Sequence, residues 1–212
     1  LGKDSSGNAN NWTPNNCSVT AGVGNDSLTD TPTNNHCVLN AANLLSGTLA
    51  NGGLDFNSGG GATNFRLARG TCALGSEKSY WEVTAPTTGT YAFFGVMRSE
   101  QNPLSNGTAG LGETDYADSV GYRCSDGDVK INGSVAVAAA TPSAGNVIGF
   151  AYDGTTRKLF VSVNGTYINS GDPVAGTGQV ATLSASYTWL PAVTDATTQV
   201  ISVNFGQRSF NT

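Results

Sequence analysis

The sequence has few charged side chains and no cluster of cations. Charged residues make up 12% of its 212 positions, and ten lysines and arginines against fifteen acidic residues leave a formal net charge of −5. The closest groupings of cations are Arg66 with Arg69 and Arg157 with Lys158. Because binding to a phosphate backbone needs clustered Lys and Arg, the composition argues against a nucleic-acid partner, and against an anionic membrane surface for the same reason.

Long apolar runs are also missing. The longest, residues 135–140 and 147–151, are far shorter than the roughly 20 residues of a membrane-spanning helix. We therefore expect no membrane insertion. The chain starts at Leu1 with neither an initiator methionine nor an apolar signal region, which suggests a piece of a longer protein.

The sequence contains few residues that could bind a metal or a cofactor. The chain has one histidine, His36, and no Cys-x-x-Cys pair, which excludes the common zinc patterns. Asp126 and Asp128 could contribute to a calcium site, but the other ligand positions of an EF-hand loop are absent, and a plain turn is the better interpretation. We predict no metal and no cofactor.

The four cysteines, Cys17, Cys37, Cys72 and Cys124, are widely separated. Four cysteines allow three pairings, and sequence alone does not select one of them. Extracellular proteins favour disulfides, whereas a buried free cysteine behaves as a small hydrophobic residue. The pairing, and whether there is any, stays open at this point.

Catalytic residues are not predicted, and we expect the protein not to be an enzyme. A glycan hydrolase needs two carboxylates across a cleft, and no strand carries such a tandem. Glu82 is the best isolated carboxylate, but it lies on an alternating strand, where an outward, surface position is expected. His36 has no serine or cysteine in a nucleophile turn as a partner.

Glycine and small polar residues take the place of the missing charges. The chain has 28 glycines and an excess of Asn, Ser and Thr, a composition typical of secreted adhesins, capsid parts and fibre proteins. The bias is strongest in the first fifty residues, where Trp12 is the only aromatic residue. We interpret residues 1–50 as an irregular extension or linker that packs along another surface, and residues 51–212 as the folded domain.

Short β-rich runs separated by glycine-rich loops fill the second part of the chain, which predicts an all-β sandwich or barrel. Leu159, Val161 and Val163 alternate along one run and should face the core. Asp153-Gly154 marks a hairpin turn, because glycine accepts a positive φ. Residues 135–140 suit a short helix or a strand equally well. The predicted strands cover residues 54–56, 64–68, 80–84, 90–97, 120–124, 129–131, 147–152, 159–163, 189–193 and 200–205.

Five pieces of sequence, in this order and spacing, resemble the SPRY domain family across roughly residues 54–210. The resemblance implies a two-sheet antiparallel β-sandwich, SPRY-like and similar to a concanavalin A-like jelly roll, that binds partners with loops at one edge. Trp81 and Trp189 then belong to the core. The pieces are Tyr80-Trp81-Glu82-Val83, Phe94-Gly95-Val96, residues 147–153, residues 158–165, and Leu190-Pro191-Ala192-Val193 followed by Val203-Asn204-Phe205-Gly206.

The preceding segment, at residues 1–8, 11–16 and 30–35, is similar to the lead-in found before SPRY-like modules of bacteriophage tail and fibre proteins. This resemblance implies a virion-surface or extracellular location and a homo-oligomeric assembly with other subunits of the same fibre or virion. The function it implies is recognition of a host-surface glycan or protein together with fibre assembly. The alternative is a purely structural subunit without a ligand.

Two long loops, residues 98–119 and 167–184, carry the candidate binding residues. Loops of this length exceed the usual connection and are functional or docked elsewhere. Tyrosines on them could stack on a sugar or peptide while carboxylates and amides hydrogen-bond it; the alternative is packing on a neighbouring subunit. The predicted binding rim consists of Arg98, Asn102, Glu113, Asp115, Tyr116, Tyr167 and Asp172.

Overall fold

The computed structural model describes residues 2–13, 15, 35–44, 46–60, 65–86, 91–101 and 109–211. These residues form fourteen strands and three single-turn 3₁₀ helices, at Ala41–Asn43, Asn51–Gly53 and Thr114–Tyr116, and no α-helix among them. The strands are β1 (Thr48–Ala50), β2 (Asp55–Asn57), β3 (Arg66–Arg69), β4 (Lys78–Thr84), β5 (Ala92–Arg98), β6 (Ser119–Arg123), β7 (Val129–Ile131), β8 (Ser134–Val137), β9 (Val147–Asp153), β10 (Lys158–Val163), β11 (Thr166–Tyr167), β12 (Ala181–Thr182), β13 (Trp189–Asp195) and β14 (Val200–Asn204).

The strands form two antiparallel sheets, which confirms the predicted fold class. The first sheet has eight strands in the order β1-β2-β14-β4-β9-β10-β11, with β12 also paired to β10. The second has six, in the order β3-β13-β5-β6-β7-β8. Each of the ten predicted strands overlaps an observed one, and the ambiguous segment at residues 135–140 contributes to strand β8.

One apolar core fills the space between the two sheets. Period-2 alternation sends Leu159 and Val161 into it, with Val163 packed at its margin, as the sequence predicted. Trp81 stacks on Phe150, with ring centroids 5.1 Å apart and planes 6° from parallel. Both Trp81 and Trp189 belong to this core, with 3% and 8% of their surface exposed, which confirms the prediction for these two residues.

The β9–β10 hairpin is present, but its glycine has a different role from the one expected. The left-handed residue of the turn is Arg157, at φ 58°, and not Gly154. The Asp153 carboxylate accepts hydrogen bonds from the Thr155 N–H at 3.0 Å and the Thr156 hydroxyl at 2.7 Å, which fixes the turn. Gly154 is needed for space, because a Cβ there would lie 2.3 Å from the Gly75 carbonyl oxygen.

The outer face of the six-stranded sheet is covered by the long loop between β5 and β6. Leu111 and Tyr116 of this loop have no exposed surface and pack on Phe93 and Met97 of β5, in a second hydrophobic cluster outside the main core. We call this described part of the loop, residues 109–118, the apolar cover. The long loop is therefore docked on its own sandwich.

The outer face of the eight-stranded sheet is covered by polar contacts. Glu82 of β4 points outward, as predicted, but it is only 2% exposed, so its expected surface position is corrected. Its two carboxylate oxygens accept hydrogen bonds from the Asn211 N–H at 3.1 and 3.0 Å, and one accepts from the Tyr80 hydroxyl at 3.2 Å. Phe210 meets Tyr80 edge to face, with ring centroids 4.8 Å apart. We call residues 205–211 the polar cover.

Part of the proposed N-terminal extension contributes to the sandwich. Strand β1 pairs with β2, and Leu39, 3% exposed, belongs to the main core. Residues 2–13 bond locally: the Trp12 N–H donates to the Gly2 carbonyl at 3.0 Å, and the Trp12 side chain is 66% exposed. The last residues of the assigned extension thus lie in the folded domain, while the division of the remainder stays a prediction.

Among the described residues, no helix has the length and apolar character needed to cross a membrane.

Candidate functional site

The most developed surface site lies at the end of the sandwich where β5 ends and β13 begins. Described residues of four connections meet there: 70–77, 99–101 with 117–118, 154–157 and 183–188. We call this end the Tyr187 rim, after the aromatic residue at its centre. Antiparallel pairing places the connections together, because Trp189 at the start of β13 lies opposite Arg98 at the end of β5.

Tyr187 is a half-exposed ring that its neighbours hold in place. Its side chain is 38% exposed. The Arg98 guanidinium carbon lies 5.0 Å from its ring centroid, and Trp189 meets it edge to face at 6.2 Å. The Trp189 indole N–H donates to the Ser184 carbonyl at 2.9 Å. The ring is therefore presented to solvent by a packed support, the kind of arrangement that carries binding energy in protein interfaces.

The Arg98 guanidinium group has one N–H donor without a partner among the described atoms. Its Nη2 forms an ion pair with Asp118 at 2.7 Å, while its buried Nε has no hydrogen-bond partner among the described atoms. A buried N–H without a partner is costly.

The first pocket of the rim, about 200 Å³ in volume, is lined in part by Tyr187. Both long loops singled out in the sequence contribute to it, so the structure brings the two together at this place. Its lining combines an apolar floor with hydroxyl and amide groups at the edge. The lining residues are Ala117, Asp118, Ser119, Val120, Ile131, Asn132, Ala181, Thr182, Leu183, Ser184, Tyr187 and Trp189.

The second pocket of the rim, also about 200 Å³, is likewise lined by Tyr187. Arg157 lines it and forms no ion pair within the described part of the chain. Burial raises the pKa of Tyr152 in the same pocket, an effect that the nearby Arg157 cation partly offsets. The remaining lining residues are Leu74, Gly75, Ser76, Gly154, Ala185, Thr188 and again Tyr187 and Trp189.

Backbone and side-chain hydrogen bonds hold the rim loops in place. The Leu74 N–H donates to the Trp189 carbonyl and the Gly70 N–H to the Pro191 carbonyl, both at 2.8 Å. The buried Arg69 donates to the carbonyl oxygens of Ser99 at 2.8 Å and Gln101 at 3.2 Å. The pockets are therefore preformed, which lowers the ordering cost of binding.

Of the seven predicted binding residues, Arg98 alone lies at the Tyr187 rim among the described residues. Asn102 lies outside them. Glu113, Asp115 and Tyr116 belong to the apolar cover. Tyr116 is 0% exposed, so its predicted role as a stacking platform is corrected: its ring fills space against β5.

Tyr167 and Asp172 lie over the outer face of the eight-stranded sheet, away from Tyr187. The Tyr167 ring meets Phe160 edge to face at 6.4 Å, and burial raises its pKa. The Asp172 carboxylate accepts from the N–H groups of Val174 and Ala175 at 2.9 and 3.0 Å, which fixes its own turn. Tyr167 also lines a pocket of about 310 Å³ with Lys78, Ser79, Tyr80, Ala151, Tyr152, Asp153, Pro173 and Val174.

Asp126 and Asp128, the weak calcium candidates, face a cation of the protein itself. Arg123 donates to both oxygens of Asp126, one at 3.0 Å, and approaches Asp128 at 3.9 Å. The Asp128 N–H donates to Asp126 at 3.1 Å, as in a plain turn. Within the described ranges, no three His, Cys, Asp or Glu side chains are grouped as a metal site would need.

The opposite end of the sandwich carries a pocket of about 340 Å³ with an aromatic wall. Phe65 meets Tyr91 and Phe93 edge to face at 6.1 and 5.6 Å, and Tyr91 is 43% exposed. Glu113 and Arg123, 3.5 Å apart, supply the polar side. Its two charges already neutralise each other, so it offers fewer unused polar groups than the Tyr187 rim.

The fold and the geometry together define a class of protein: a two-sheet sandwich with preformed pockets between its end loops. Known structures share this fold. The chain is similar to the SPRY domain of human HERC1 (TM-score 0.58, 14% identity, 81% of this chain and 99% of that one). It is also similar to a further human SPRY domain (0.55, 15%, 76% and 96%) and to the PSpry domain of TRIM65 (0.54, 13%, 80% and 92%). No family model and no curated protein matches the sequence. The chain therefore has the SPRY fold.

Sequence reasoning missed the residues at the centre of the rim. Tyr187 lies just beyond the predicted loop boundary at residue 184, and Asp118 was not among the predicted binding residues. The available signal was local: Tyr187-Thr188-Trp189 places two aromatic residues two positions apart where a strand begins. Residues two positions apart on a strand point to the same side. Trp189 belongs to the core, so Tyr187 lies on the same side just beyond the edge of the core.

Proposed function

We propose that the chain is a non-catalytic protein-binding module whose Tyr187 rim holds a short extended segment of a partner protein. The single observation that carries the proposal is the half-exposed Tyr187 ring, which Arg98 and Trp189 support and which lines two pockets. Its resemblance to SPRY domains, which bind partners through edge loops, agrees with this location.

The dimensions of the pockets favour single side chains as occupants. Each holds about 200 Å³, below the roughly 300–1,000 Å³ of typical small-molecule sites. A segment lying across Tyr187 would place one side chain in each pocket. The apolar cover and the polar cover lie over parts of the two outer sheet faces, and the Tyr187 rim at the end of the sandwich is the surface that we propose for binding.

The charges of the rim favour an acidic or carbonyl-rich segment. Arg157 has no ion-pair partner in the described part of the chain. A carboxylate or backbone carbonyl of the partner would pair with its guanidinium. We therefore propose a recognition segment with an apolar side chain next to an acidic one.

A displayed random peptide library, selected on the intact chain, tests this proposal. Selected peptides should be enriched in acidic residues beside apolar ones, and the substitution Tyr187→Ala should raise their Kd at least roughly tenfold. Tyr91→Ala is the matched control, because Tyr91 is similarly exposed, at 43%, but lies at the other end. Fluorescence polarisation gives the Kd values. Peptides that bind the Tyr187→Ala chain with an unchanged Kd would refute the rim as the binding site.

The setting that we propose is a virion surface, in a bacteriophage tail or fibre, or another extracellular assembly. Support comes from the charged fraction of 12%, the 28 glycines and the lead-in similarity of residues 1–8, 11–16 and 30–35. In that setting the partner would be a host-surface protein or glycan, since an exposed tyrosine can also stack on a sugar ring. Glycan-array binding that is lost in the Tyr187→Ala chain would identify a sugar ligand.

The alternative in the same setting is a purely structural subunit that binds copies of itself. A biological interface buries more than roughly 1,000 Å², so light scattering coupled to gel filtration should detect a stable homo-oligomer. Dissociation by Tyr187→Glu would assign the rim to self-assembly. An oligomer unchanged by that substitution would leave the rim available to another partner.

A further inference from the structure

Two of the cysteines lie opposite each other on neighbouring segments of the fold. Leu39 forms an isolated antiparallel bridge with Gly70. Continuing that register by one residue pairs Val38 with Thr71, and the Thr71 N–H does donate to the Val38 carbonyl at 2.8 Å. The next step pairs Cys37 with Cys72. The Cys72 N–H lies 3.4 Å from the Cys37 sulfur, in a donor–acceptor contact that confirms the approach.

The position of this pair in the ladder suits a covalent link. The Asn40 N–H donates to the Arg69 carbonyl at 2.7 Å, and with the bond from Thr71 to Val38 it brackets the Leu39–Gly70 pair. Leu39–Gly70 is therefore a non-hydrogen-bonded pair. Cys37–Cys72 lies two residues further along each segment, so it is a non-hydrogen-bonded pair as well. Such pairs have Cα atoms about 4.5 Å apart and the closer side chains, within the range of about 4.4–6.8 Å found in disulfides.

The two sulfurs also share a neighbour. The Thr71 hydroxyl lies 3.9 Å from the Cys37 sulfur and 3.8 Å from the Cys72 sulfur. Gly70 makes room for the Cys37 side chain, because a Cβ at Gly70 would come within 2.7 Å of that sulfur. Both thiols are thus directed to the same small space beside Thr71.

We propose that Cys37 and Cys72 are a redox pair that closes to a disulfide in an oxidising environment and fixes the segment at residues 35–44 to the rim loop at residues 70–77. Cys124 is no alternative partner: it is 4% exposed in the main core, and burial, with a smaller contribution from Asp195, raises its pKa to about 12. Cys17 lies outside the described residues, so the test includes it.

The reaction balances with glutathione disulfide as the oxidant. The exposed Cys72 attacks one glutathione sulfur as a thiolate, which forms a mixed disulfide and releases one glutathione thiolate. Cys37 then attacks the Cys72 sulfur, which forms the protein disulfide and releases the second glutathione. The two thiol protons go to the two released glutathiones. Burial, opposed by the hydrogen bond from the Cys72 N–H, raises the pKa of Cys37 to about 11, which is why Cys72 reacts first.

The bond would act on the Tyr187 rim. Leu74, two residues after Cys72, pairs with Trp189 and lines the second pocket. A link at Cys72 therefore restrains one wall of that pocket from outside the sandwich. The proposal stands on the geometry of the cysteines and is independent of what the rim binds.

Peptide mapping of the full chain after incubation with glutathione disulfide tests the pairing. Cleavage before aspartates places the four cysteines in four separate fragments, residues 4–25, 30–54, 55–114 and 118–125. The expected product joins fragments 30–54 and 55–114 and is two hydrogens lighter than their sum. A link from fragment 4–25 to either of them, or an oxidised sample in which Cys37 and Cys72 both still react with iodoacetamide, would overturn the proposal.

Thermal unfolding provides the second readout. The bond closes a loop of roughly 35 residues, so the oxidised chain should melt roughly 5–10 °C above the reduced one. Cys37→Ser and Cys72→Ser should each abolish this shift, and Cys17→Ser, the matched control, should keep it. An equal shift in the Cys37→Ser chain would assign the stabilisation to another pair and overturn the proposal.

Discussion

The two sheets of this sandwich have their outer faces covered by different chemistry. On the six-stranded sheet, the apolar cover buries Leu111 and Tyr116 against β5. On the eight-stranded sheet, the polar cover ends with the Asn211 N–H on the buried Glu82 carboxylate. The first cover depends on area removed from water, and the second on the geometry of a few charge-assisted hydrogen bonds.

The two covers leave the ends of the sandwich open, and one open pocket also remains on the outer face of the eight-stranded sheet beside Tyr167. A sheet face left bare would be a large flat surface for other chains. Here segments of the chain cover part of both faces, and the buried Arg98 Nε, which has no hydrogen-bond partner among the described atoms, lies at the Tyr187 rim.

The largest effect is expected from Tyr116→Ala in the apolar cover. Tyr116 has no exposed surface and packs in one cluster with Phe93, Met97 and Leu111. Removing a buried aromatic ring leaves a cavity, so the free energy of unfolding in urea should fall by about 3–5 kcal/mol. The exposed neighbour Asp115 is the control, and Asp115→Ala should change it by less than about 0.5 kcal/mol. A loss below about 1 kcal/mol for Tyr116→Ala would mean that the loop does not contribute to the folded core.

The polar cover is tested by Glu82→Gln. The substitution keeps the size of the side chain but removes the charge that accepts the Asn211 N–H on both oxygens. Hydrogen bonds to a charged group contribute about 1.5–3 kcal/mol, and a glutamine keeps part of this, so we expect a loss of about 1–2 kcal/mol in urea unfolding. Glu77→Gln, at an exposed site, should have no measurable effect. Equal free energies of unfolding for the two variants would show that the polar cover does not depend on the Glu82 charge.

The sequence was sufficient for the strands and the core but not for the covers. Alternation along β10 identified Leu159 and Val161 as buried because a strand has only two faces. The same alternation put Glu82 on the outer face and could not reveal that residues 205–211 return to cover it, since that contact joins positions 129 residues apart. Tyr116 was misplaced for the same reason: a loop that docks on its own sheet has the composition of one that faces solvent.

The candidate site was only partly accessible to sequence reasoning. Loop length directed attention to residues 98–119 and 167–184, because long ordered loops need a reason, and their role in binding stays a prediction. Which residues of those loops meet depends on the pairing of β13 with β5, which places Trp189 opposite Arg98. No local pattern encodes that register, so Arg98 was found and its contact with Tyr187 was not.

The third prediction concerns the charged edge of the apolar cover. Arg123 links Asp126 with Glu113 of the cover. Burial alone would raise the pKa of Asp126, but the hydrogen bonds from Arg123 and the Asp128 N–H, together with the charges of Arg123 and Lys130, outweigh it and hold that pKa below its usual range. The folded pKa lies below the unfolded one, so the contribution to stability is present above about pH 4 and is lost as the pH falls through the folded value.

Asp126→Asn should therefore destabilise the chain at pH 7 and have little effect near pH 2. Because these side chains are partly exposed, solvent screening limits the loss to about 0.5–1 kcal/mol. Urea unfolding at the two pH values measures it, with Asp172→Asn as the control, because Asp172 forms no ion pair among the described residues. A difference between wild type and Asp126→Asn that is as large near pH 2 as at pH 7 would contradict the assignment.

The smallest effect on stability is expected at the Tyr187 rim. Tyr187 and Tyr116 are the same residue type, but Tyr187 is 38% exposed and Tyr116 not at all. Tyr187→Ala removes an exposed cation–π contact with Arg98 and an edge contact with Trp189, so the free energy of unfolding should fall by less than about 1 kcal/mol. If the loss instead approached that of Tyr116→Ala, the ring would be part of the core. A small loss of stability together with a large loss of peptide binding would identify Tyr187 as a binding residue. Replacing a structural tyrosine would instead reduce stability and binding in proportion.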